Sequence, residues 1–245
     1  MFRGLIAAAG LSTRLQDLCE RRNKVLLDLG GESILASILT RFEQAQITDA
    51  TVVVGFDAPA VRVACGARAR CVLNPFYEHA GILSSLWVAR PLFDGAAFVF
   101  TTGDHYFALS RFRTFLADQP DADVLVDVEI KTCDDEDMKV YLNRRGKLRT
   151  VTKTFLEGPV LGEFTGAVRF SAEGSTQFFA ELEKHAWLHG VHGYVADVLC
   201  AVHRKWELAF HLSSDHHRIE IDFPCDLSAA RRLYALEHEA IKRTG

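Results

Sequence analysis

Three short stretches of this sequence carry residue types at spacings that suit chemistry. In the first, an apolar run from Gly4 to Ala9 breaks at Gly10 into Leu11-Ser12-Thr13 and ends in Arg14. Ten residues further on stands Lys24, followed by Val25-Leu26-Leu27. A small-residue loop after a strand lets backbone N–H groups approach phosphate oxygens, and Gly10 can take backbone angles closed to other residues. Arg14 and Lys24 add a planar fork and a compact point charge, the two kinds of cation phosphates use. The pattern suits polyphosphate binding. Two rivals stay open. One is a Rossmann dinucleotide loop, although a single glycine stands where three are expected. The other is a plain strand-turn-helix with Arg14 and Lys24 solvated.

The second stretch is Thr102-Gly103-Asp104, at the end of a strand expected over Ala97 to Thr101. In an open parallel sheet, ligands sit at the carboxyl ends of strands. A carboxylate there suits Mg²⁺, which takes one or two carboxylates and fills its remaining positions with water and phosphate oxygens. Gly-Asp is also ordinary turn chemistry, so Asp104 as the cap of a following helix is the alternative. His105 beside it either orients the loop or touches substrate. The third stretch, Glu220 to Leu227 (EIDFPCDL), opens the last helix, where Asp226 suits the N-terminal dipole.

The elements that must position these residues alternate. Glu32 to Gln46 carries the 3.6-residue apolar stripe of a helix. Thr51 to Gly55 is a β-branched strand, Ala58 to Ala64 a short helix and Arg70 to Leu73 a third strand. Alternating strands and helices imply parallel pairing with helical crossovers. Asn74 to Arg90 begins in a turn and ends in a helix, with Ser84 or Ser85 as the N-cap. Ser110 to Leu116 reads as helix, Asp123 to Asp127 as strand, and Glu129 to Asp137 as a polar surface loop. Met138 to Leu142 and Lys147 to Thr152 form a hairpin around Asn143 to Gly146. Helices over Ser175 to His185 and Gly193 to His203, strands over Leu208 to Leu212 and Arg218 to Ile221, and a helix from Ser228 to Ile241 complete the chain. His216-His217 reads as a polar turn.

With 245 residues, nearly half of them apolar, one domain with a substantial core is the expectation. The net charge of −4 argues against a chain built to coat nucleic acid, yet leaves room for a small anionic ligand held by local positive charge. No basic-plus-apolar signal opens the sequence and no apolar run is long enough to span a bilayer, so the expected setting is cytoplasmic, with no membrane partner. The six cysteines and ten histidines show no metal-ligand spacing, and free thiols are expected.

Ala8-Ala9-Gly10-Leu11-Ser12-Thr13-Arg14-Leu15 with Lys24 downstream resembles the signature of nucleotidyltransferases that make NDP-sugars and CDP-alcohols. Further stretches resemble the phosphocholine cytidylyltransferase-like branch: NPFYEHAGILSSLWVAR from Asn74, GDH from Gly103, DDEDMKVYLNRRGKLRTVTK from Asp134, GEFTGAVRFSAEG from Gly162, and the EIDFPCDL run. Three departures are visible: Ser12 where a second glycine is usual, Asn23 where a proline precedes the lysine, and Ala80-Gly81-Ile82 where an asparagine is common. The resemblance implies an α/β fold, a Rossmann-like mostly parallel sheet flanked by helices with a small antiparallel insertion near Met138 to Thr152. It implies nucleotide binding by Ala8, Ala9, Gly10, Leu11, Ser12, Thr13, Arg14, Lys24, Ser84, Ser85 and Gly103. Catalysis falls to Lys24, Arg14 and Asp104, and Mg²⁺ to Asp104 and Asp222.

Acceptor binding is implied for Lys139, Lys153, Glu163, Thr165 and Asp197. From the residues alone, the two lysines are solvated strand ends and Asp197 a solvent-facing carboxylate. A choline headgroup would ask for aromatic faces or carboxylates, which Tyr106, Phe107, Phe164, Tyr194 and Asp197 supply, although core packing explains the aromatics equally well. The implied reaction moves CMP from CTP to a small phosphorylated alcohol, phosphocholine or similar, with release of pyrophosphate. Two carboxylates from distant chain segments can clamp the cation that such a transfer uses. Other acceptors or nucleotides remain alternatives: inositol 1-phosphate, a phosphonate, or a sugar 1-phosphate with UTP or GTP. So does a non-catalytic nucleotide-binding regulatory module, which the departures would suit.

Overall fold

A computed structural model describes residues 1–15, 19 and 22–244, the last five as backbone alone. Along the chain run β1 (Arg3–Ala8), α1 (Ile34–Gln44), β2 (Ala50–Val54), α2 (Ala58–Cys65) and β3 (Arg70–Leu73). Then come α3 (Ile82–Phe93), β4 (Phe98–Thr102), β5 (His105–Phe107), α4 (Leu109–Ala117) and β6 (Val124–Glu129). The rest is β7 (Lys139–Leu142), β8 (Leu148–Thr152), β9 (Val160–Phe170), α5 (Ala172–His189), α6 (Val195–His203), β10 (Ala209–Ser213), β11 (Arg218–Glu220) and α7 (Pro224–Thr244). The fold is α/β, a mostly parallel sheet flanked by helices with small antiparallel additions. Two compact units, interleaved in sequence, make it up.

The first unit holds Gly4–His79, Thr101–Leu116 and His216–Gly245. In it β1, β2 and β3 pair in parallel, with Leu5 opposite Thr51 and Val53 opposite Val72. Val52, Val53 and Val54 are fully buried, as expected of a parallel strand covered on both faces. The apolar stripe of α1 (Ile34, Leu35, Ile38, Leu39, Phe42) is buried, and Ser33 caps its start by accepting from Ala36 N at 3.1 Å. Gly4 lets Phe42 approach β1, since a Cβ there would meet the ring at 2.2 Å. β5 and β11 form a two-stranded antiparallel ribbon that sets His105 opposite Glu220.

The second unit holds Met1–Arg3, Ala80–Phe100 and Ala117–Asp215. β6 lies between β10, parallel to it, and β9, antiparallel; β9 also pairs antiparallel with residues 98–100 of β4. The simple alternation read from sequence misses this reversed strand, because β9 follows a hairpin rather than a crossover helix. β7 pairs with β8 and with β9, giving the expected antiparallel insertion. Four expectations need correction. The N-cap of α3 is Gly81, and Ser84 and Ser85 lie buried inside the helix, with Ser84 Oγ donating to Gly81 O at 2.7 Å. Asp104 leads into strand β5 instead of capping a helix. The segment from Glu129 to Asp137 is not uniformly exposed, since both of its end residues are buried. The left-handed backbone of the first loop falls at Ser12 (φ 58°), not at Gly10.

The six cysteines are free thiols. Among the described residues no helix is long and apolar enough to cross a membrane. The core of the second unit centres on Phe98, whose ring stacks 4.5 Å from Phe170 and lies 5.0 Å from Phe93 and 6.0 Å from Phe179. Phe98→Ala should cost about 3–5 kcal/mol by leaving a cavity among three rings. A denaturant titration showing a loss below 1 kcal/mol would mean that the cluster repacks.

Candidate active site

Asp104 follows the exit of β4 through a turn that only a residue without a side chain can make closely. Gly103 N donates to Ala7 O at 2.8 Å, and a Cβ on Gly103 would stand 2.9 Å from that oxygen. Beyond Asp104 the β5–β11 ribbon folds the tail of the chain back, so that Ile221 N donates to Asp104 O at 2.8 Å. Asp222, the next residue, therefore arrives beside Asp104 although 118 positions separate them in sequence. Asp226, in the first turn of α7, holds it there by accepting from Asp222 N at 3.1 Å and Phe223 N at 2.7 Å. This is the helix-terminal role its position suggests.

The ammonium of Lys24 sits between the two carboxylates. Nζ is 2.9 Å from Asp104 Oδ2 and 2.6 Å from Asp222 Oδ1, and it donates to Ile221 O at 3.2 Å. Arg14 takes the other oxygen of Asp222, with Nη1 to Oδ2 at 2.8 Å, and its guanidinium lies over the Phe223 ring. Burial works to lower the Lys24 pKa, but Asp104 and Asp222 outweigh it and raise the ammonium above its usual range. Burial likewise works to raise Asp104, yet Lys24, His105 and Thr102 together outweigh it and hold the carboxyl well below the usual carboxylate range.

A buried group of polar residues backs this centre. His105 is 2% exposed; its Nδ1 faces the Thr102 hydroxyl and, at 3.1 Å, Asp104 Oδ1. Its Nε2 lies 2.9 Å from Arg218 Nη2, which can only donate, so Nε2 accepts and the proton is on Nδ1. Arg218 also reaches Glu220 Oε2 at 3.2 Å. Donor atoms of Asp104, His105 and Glu220 fall within 4.8 Å of one another. The guanidinium of Arg218 already stands against two of those three. The better place for a divalent ion is the gap that Lys24 fills, where two carboxylates already converge on a cation. Asp104 Oδ1, the carboxylate's other oxygen, is buried against His105 Nδ1 at 3.1 Å and keeps a second lone pair. The donor set is all oxygen, which is what Mg²⁺ selects.

Arg14, Lys24, Asp104 and Asp222 are thus brought together, with Ala8 to Thr13 and Gly103 beside them in the first unit. Ser84, Ser85, Lys139, Lys153, Glu163, Thr165 and Asp197 all belong to the second unit. There Lys139 is not a solvated strand end. It is fully buried, donating to Asp137 O at 3.1 Å and Lys153 O at 2.7 Å, with the Phe155 ring 4.1 Å from its Nζ. Lys153 pairs loosely with Glu136 at 3.4 Å. Glu163 pairs with Lys131, and Thr165 donates to Asp127 Oδ2 at 2.7 Å. Asp197 forms a capping box at the start of α6, accepting from Tyr194 N at 2.7 Å, so its carboxylate holds a helix end. Sequence reasoning assigned no role to Arg218 or Glu220. The signal was available: Arg218, Glu220 and Asp222 alternate, and alternate residues of a strand share one face.

Residues 4–153 match the family model described as the MobA-like NTP transferase domain. The chain belongs to that family. It is a nucleotidyltransferase, and its fold is shared by solved structures at low identity. The inositol-1-phosphate CTP transferase of T. maritima superposes with a TM-score of 0.80 at 18% identity, covering 98% of this chain and 97% of that one. CTP:phosphocholine cytidylyltransferase from Streptococcus pneumoniae gives 0.77 at 15% identity, covering 95% and 99%. A candidate glucose-1-phosphate thymidylyltransferase from Bacillus anthracis, in complex with sucrose, gives 0.77 at 17% identity, covering 95% of each chain. A search of curated proteins finds no match in sequence.

The charge pairing has a pH signature. A raised lysine contributes stability below its unfolded value of about 10.4 and loses it as pH climbs through the folded value; a lowered aspartate contributes above about 3.9 and loses it as pH falls through the folded value. The parent pair is therefore intact across the whole neutral range. Lys24→Met leaves Asp104 buried without its cation and should lose about 2 kcal/mol or more near pH 7.5. The deficit should shrink as pH falls, because a buried carboxyl that has lost its cation takes up a proton more readily than in the parent. Melting temperatures of both proteins from pH 4 to 9 check this, and a deficit independent of pH would count against it.

Proposed function

We propose that this nucleotidyltransferase moves CMP from CTP to the phosphate of a small phosphorylated alcohol, releasing pyrophosphate with the help of Mg²⁺. The observation that carries the reading is the Lys24 ammonium held between Asp104 and Asp222 beside the loop that follows β1. Two of the three structural neighbours named above use CTP, and both act on small phospho-alcohols by their names. That supports the choice of nucleotide and acceptor.

In the proposed reaction an oxygen of the acceptor phosphate forms a bond to the α-phosphorus. The bond from that phosphorus to the bridging oxygen breaks, and pyrophosphate leaves with the electron pair. No proton needs to move at the reacting oxygen, because a phosphate oxygen is already a nucleophile. The protein's work is positioning and charge neutralisation. Arg14 and the amides of residues 10–13 hold the β- and γ-phosphates; Gly10 leaves that side open, since a Cβ there would meet nothing within 4 Å. Lys24 turns from the carboxylates to the α-phosphate and stabilises the charge that develops there. Asp104 and Asp222 would hold Mg²⁺, which when bound supplies Lewis-acid stabilisation of the phosphate oxygens.

A pyrophosphate-release assay pairing CTP, UTP, GTP, ATP and dTTP with phospho-alcohols, phosphonates and sugar 1-phosphates tests the reading. Turnover should be fastest with CTP and a phospho-alcohol. A clear preference for another nucleotide or for a sugar 1-phosphate would replace that assignment, and CTP binding without turnover would mark a regulatory module. Asp104→Ala and Asp222→Ala should each lower kcat by about 10²–10³-fold while the protein stays folded, the usual cost of one preorganised charge contact. Undiminished turnover of either in Mg²⁺ and the preferred nucleotide would remove that residue from the site.

A further inference from the structure

Asn23 immediately precedes Lys24 and departs from the pattern the sequence resembles, where a proline stands. Its backbone φ of −69° is one that proline adopts, so the main chain here would accept the ring. Two features of this chain would be lost with it. The Asn23 N–H donates to Asp57 Oδ2 at 3.3 Å. The side chain, 2% exposed, donates from Nδ2 to Ala8 O at 2.9 Å and Phe56 O at 3.0 Å, with Gly10 O at 3.5 Å, and its Oδ1 accepts from Val25 N at 3.1 Å.

The next amide is held in the same way, Lys24 N donating to Ser12 Oγ at 2.8 Å. Three consecutive amides, those of Asn23, Lys24 and Val25, are therefore each taken by a side-chain oxygen, from Asp57, Ser12 and Asn23 in turn. Two of those oxygens come from residues in the left-handed region, Ser12 at φ 58° and Asp57 at φ 54°. A non-glycine residue there is costly by about 1–2 kcal/mol and persists when surrounding contacts over-determine it. These bonds are such contacts. They tie the exit of β1, the turn before α2 and the lysine turn to one another.

We infer that Asn23, acting with Asp57 and Ser12, is a positioning residue that fixes the backbone of Lys24 so that its ammonium reaches the space between Asp104 and Asp222. The arrangement holds the turn by hydrogen bonds that a proline, with neither an N–H nor a carboxamide, would not make. It also occupies the amides of the lysine turn, so phosphate recognition falls to the Lys24 side chain and to the amides of residues 10–13. The kinetic consequence rests on the proposed reaction; the positioning itself does not.

Two readouts keep these apart. Acylation of Lys24 in the substrate-free protein, followed by peptide mass spectrometry at fixed pH, reports how firmly the ammonium is held and needs no turnover. Asn23→Pro and Asn23→Ala should each speed that acylation by about tenfold, the scale of one or two buried hydrogen bonds. Asp57→Asn, which keeps an acceptor oxygen and tolerates the left-handed backbone, should protect Lys24 better than Asp57→Ala. Val53→Ala, a core truncation in the same unit, should lower the melting temperature without changing Lys24 reactivity. In the pyrophosphate assay the Asn23 variants should lose kcat by about tenfold with the nucleotide KM within about twofold. Lys24 acylation at the parent rate in a folded Asn23→Pro or Asn23→Ala protein would overturn the inference, as would equal acceleration by Val53→Ala. If the acylation result holds and no nucleotide is turned over, the positioning stands and the proposed reaction falls.

Discussion

One ammonium between two carboxylates governs the arrangement of the first unit. Lys24 comes from a turn near the N-terminus, Asp104 from the exit of β4 and Asp222 from the entry to α7, and each arrives by a different structural device. For Asp104 it is the close passage of Gly103 against Ala7; for Asp222 it is the β5–β11 ribbon and the carboxylate of Asp226. A charge contact between side chains is steep in distance, so an error of 1 Å in any of these devices would weaken it appreciably. The surrounding backbone is accordingly over-determined by hydrogen bonds rather than left to loop packing.

A second polar group extends this restraint from the site into the helices. Glu237 on α7 accepts from Arg41 Nη2 at 2.6 Å and from Leu109 N at 2.7 Å, and the Tyr106 hydroxyl donates to it. Arg41 also donates to Phe107 O at 3.0 Å and to the Tyr106 hydroxyl at 3.1 Å. Burial, followed by Glu237, pushes the Tyr106 phenol above its ordinary range, so it remains a donor across the neutral range. Because Tyr106 lies two residues past Asp104 and α7 begins just after Asp222, this clamp fixes both flanks of the carboxylate pair. It does so from α1, β5, α4 and α7 together, which is why a ribbon of only three residues per strand can hold its register.

The sequence made some of this legible and hid the rest for identifiable reasons. Buried parallel strands such as Thr51–Gly55 and amphipathic helices such as Glu32–Gln46 announce themselves through periodicity, which depends only on local order. The break after β1 was readable because an apolar run that gives way to Gly10 and small polar residues marks a turn. Lys139 and Asp197 were not legible because a charged residue near a strand or helix end has two fates, and only the three-dimensional neighbours decide: Lys139 met two carbonyls and an aromatic ring, and Asp197 met the amide of Tyr194. Ser84 looked like a cap because serine commonly is one, yet Gly81 started the helix earlier. Asn23 was visible only as a departure, since its partners are carbonyls of residues 13 to 33 positions away.

The same region also concentrates features that work against stability. Three charged groups stand partly buried, with side-chain exposure of 16% at Lys24, 22% at Asp104 and 25% at Asp222, and such pairs are often outperformed by apolar residues of similar volume. Two non-glycine residues adopt left-handed backbone within the same set of loops. Neither feature is needed to close the sheet, whose strands are held by Val52 to Val54 and their neighbours. A chain shaped for stability alone would carry glycine at 12 and 57 and leucine or methionine at 24. Strain and desolvated charge that coincide in one place, and are each held by several directed hydrogen bonds, point to a requirement set by ligand chemistry. The two cations and two carboxylates sum to zero charge in the free protein, which makes the ensemble tolerable. In the proposed reaction they would separate toward the triphosphate and its counter-ion without leaving either sign unpaired, so the pairing that makes the site foldable would be the one that chemistry exchanges.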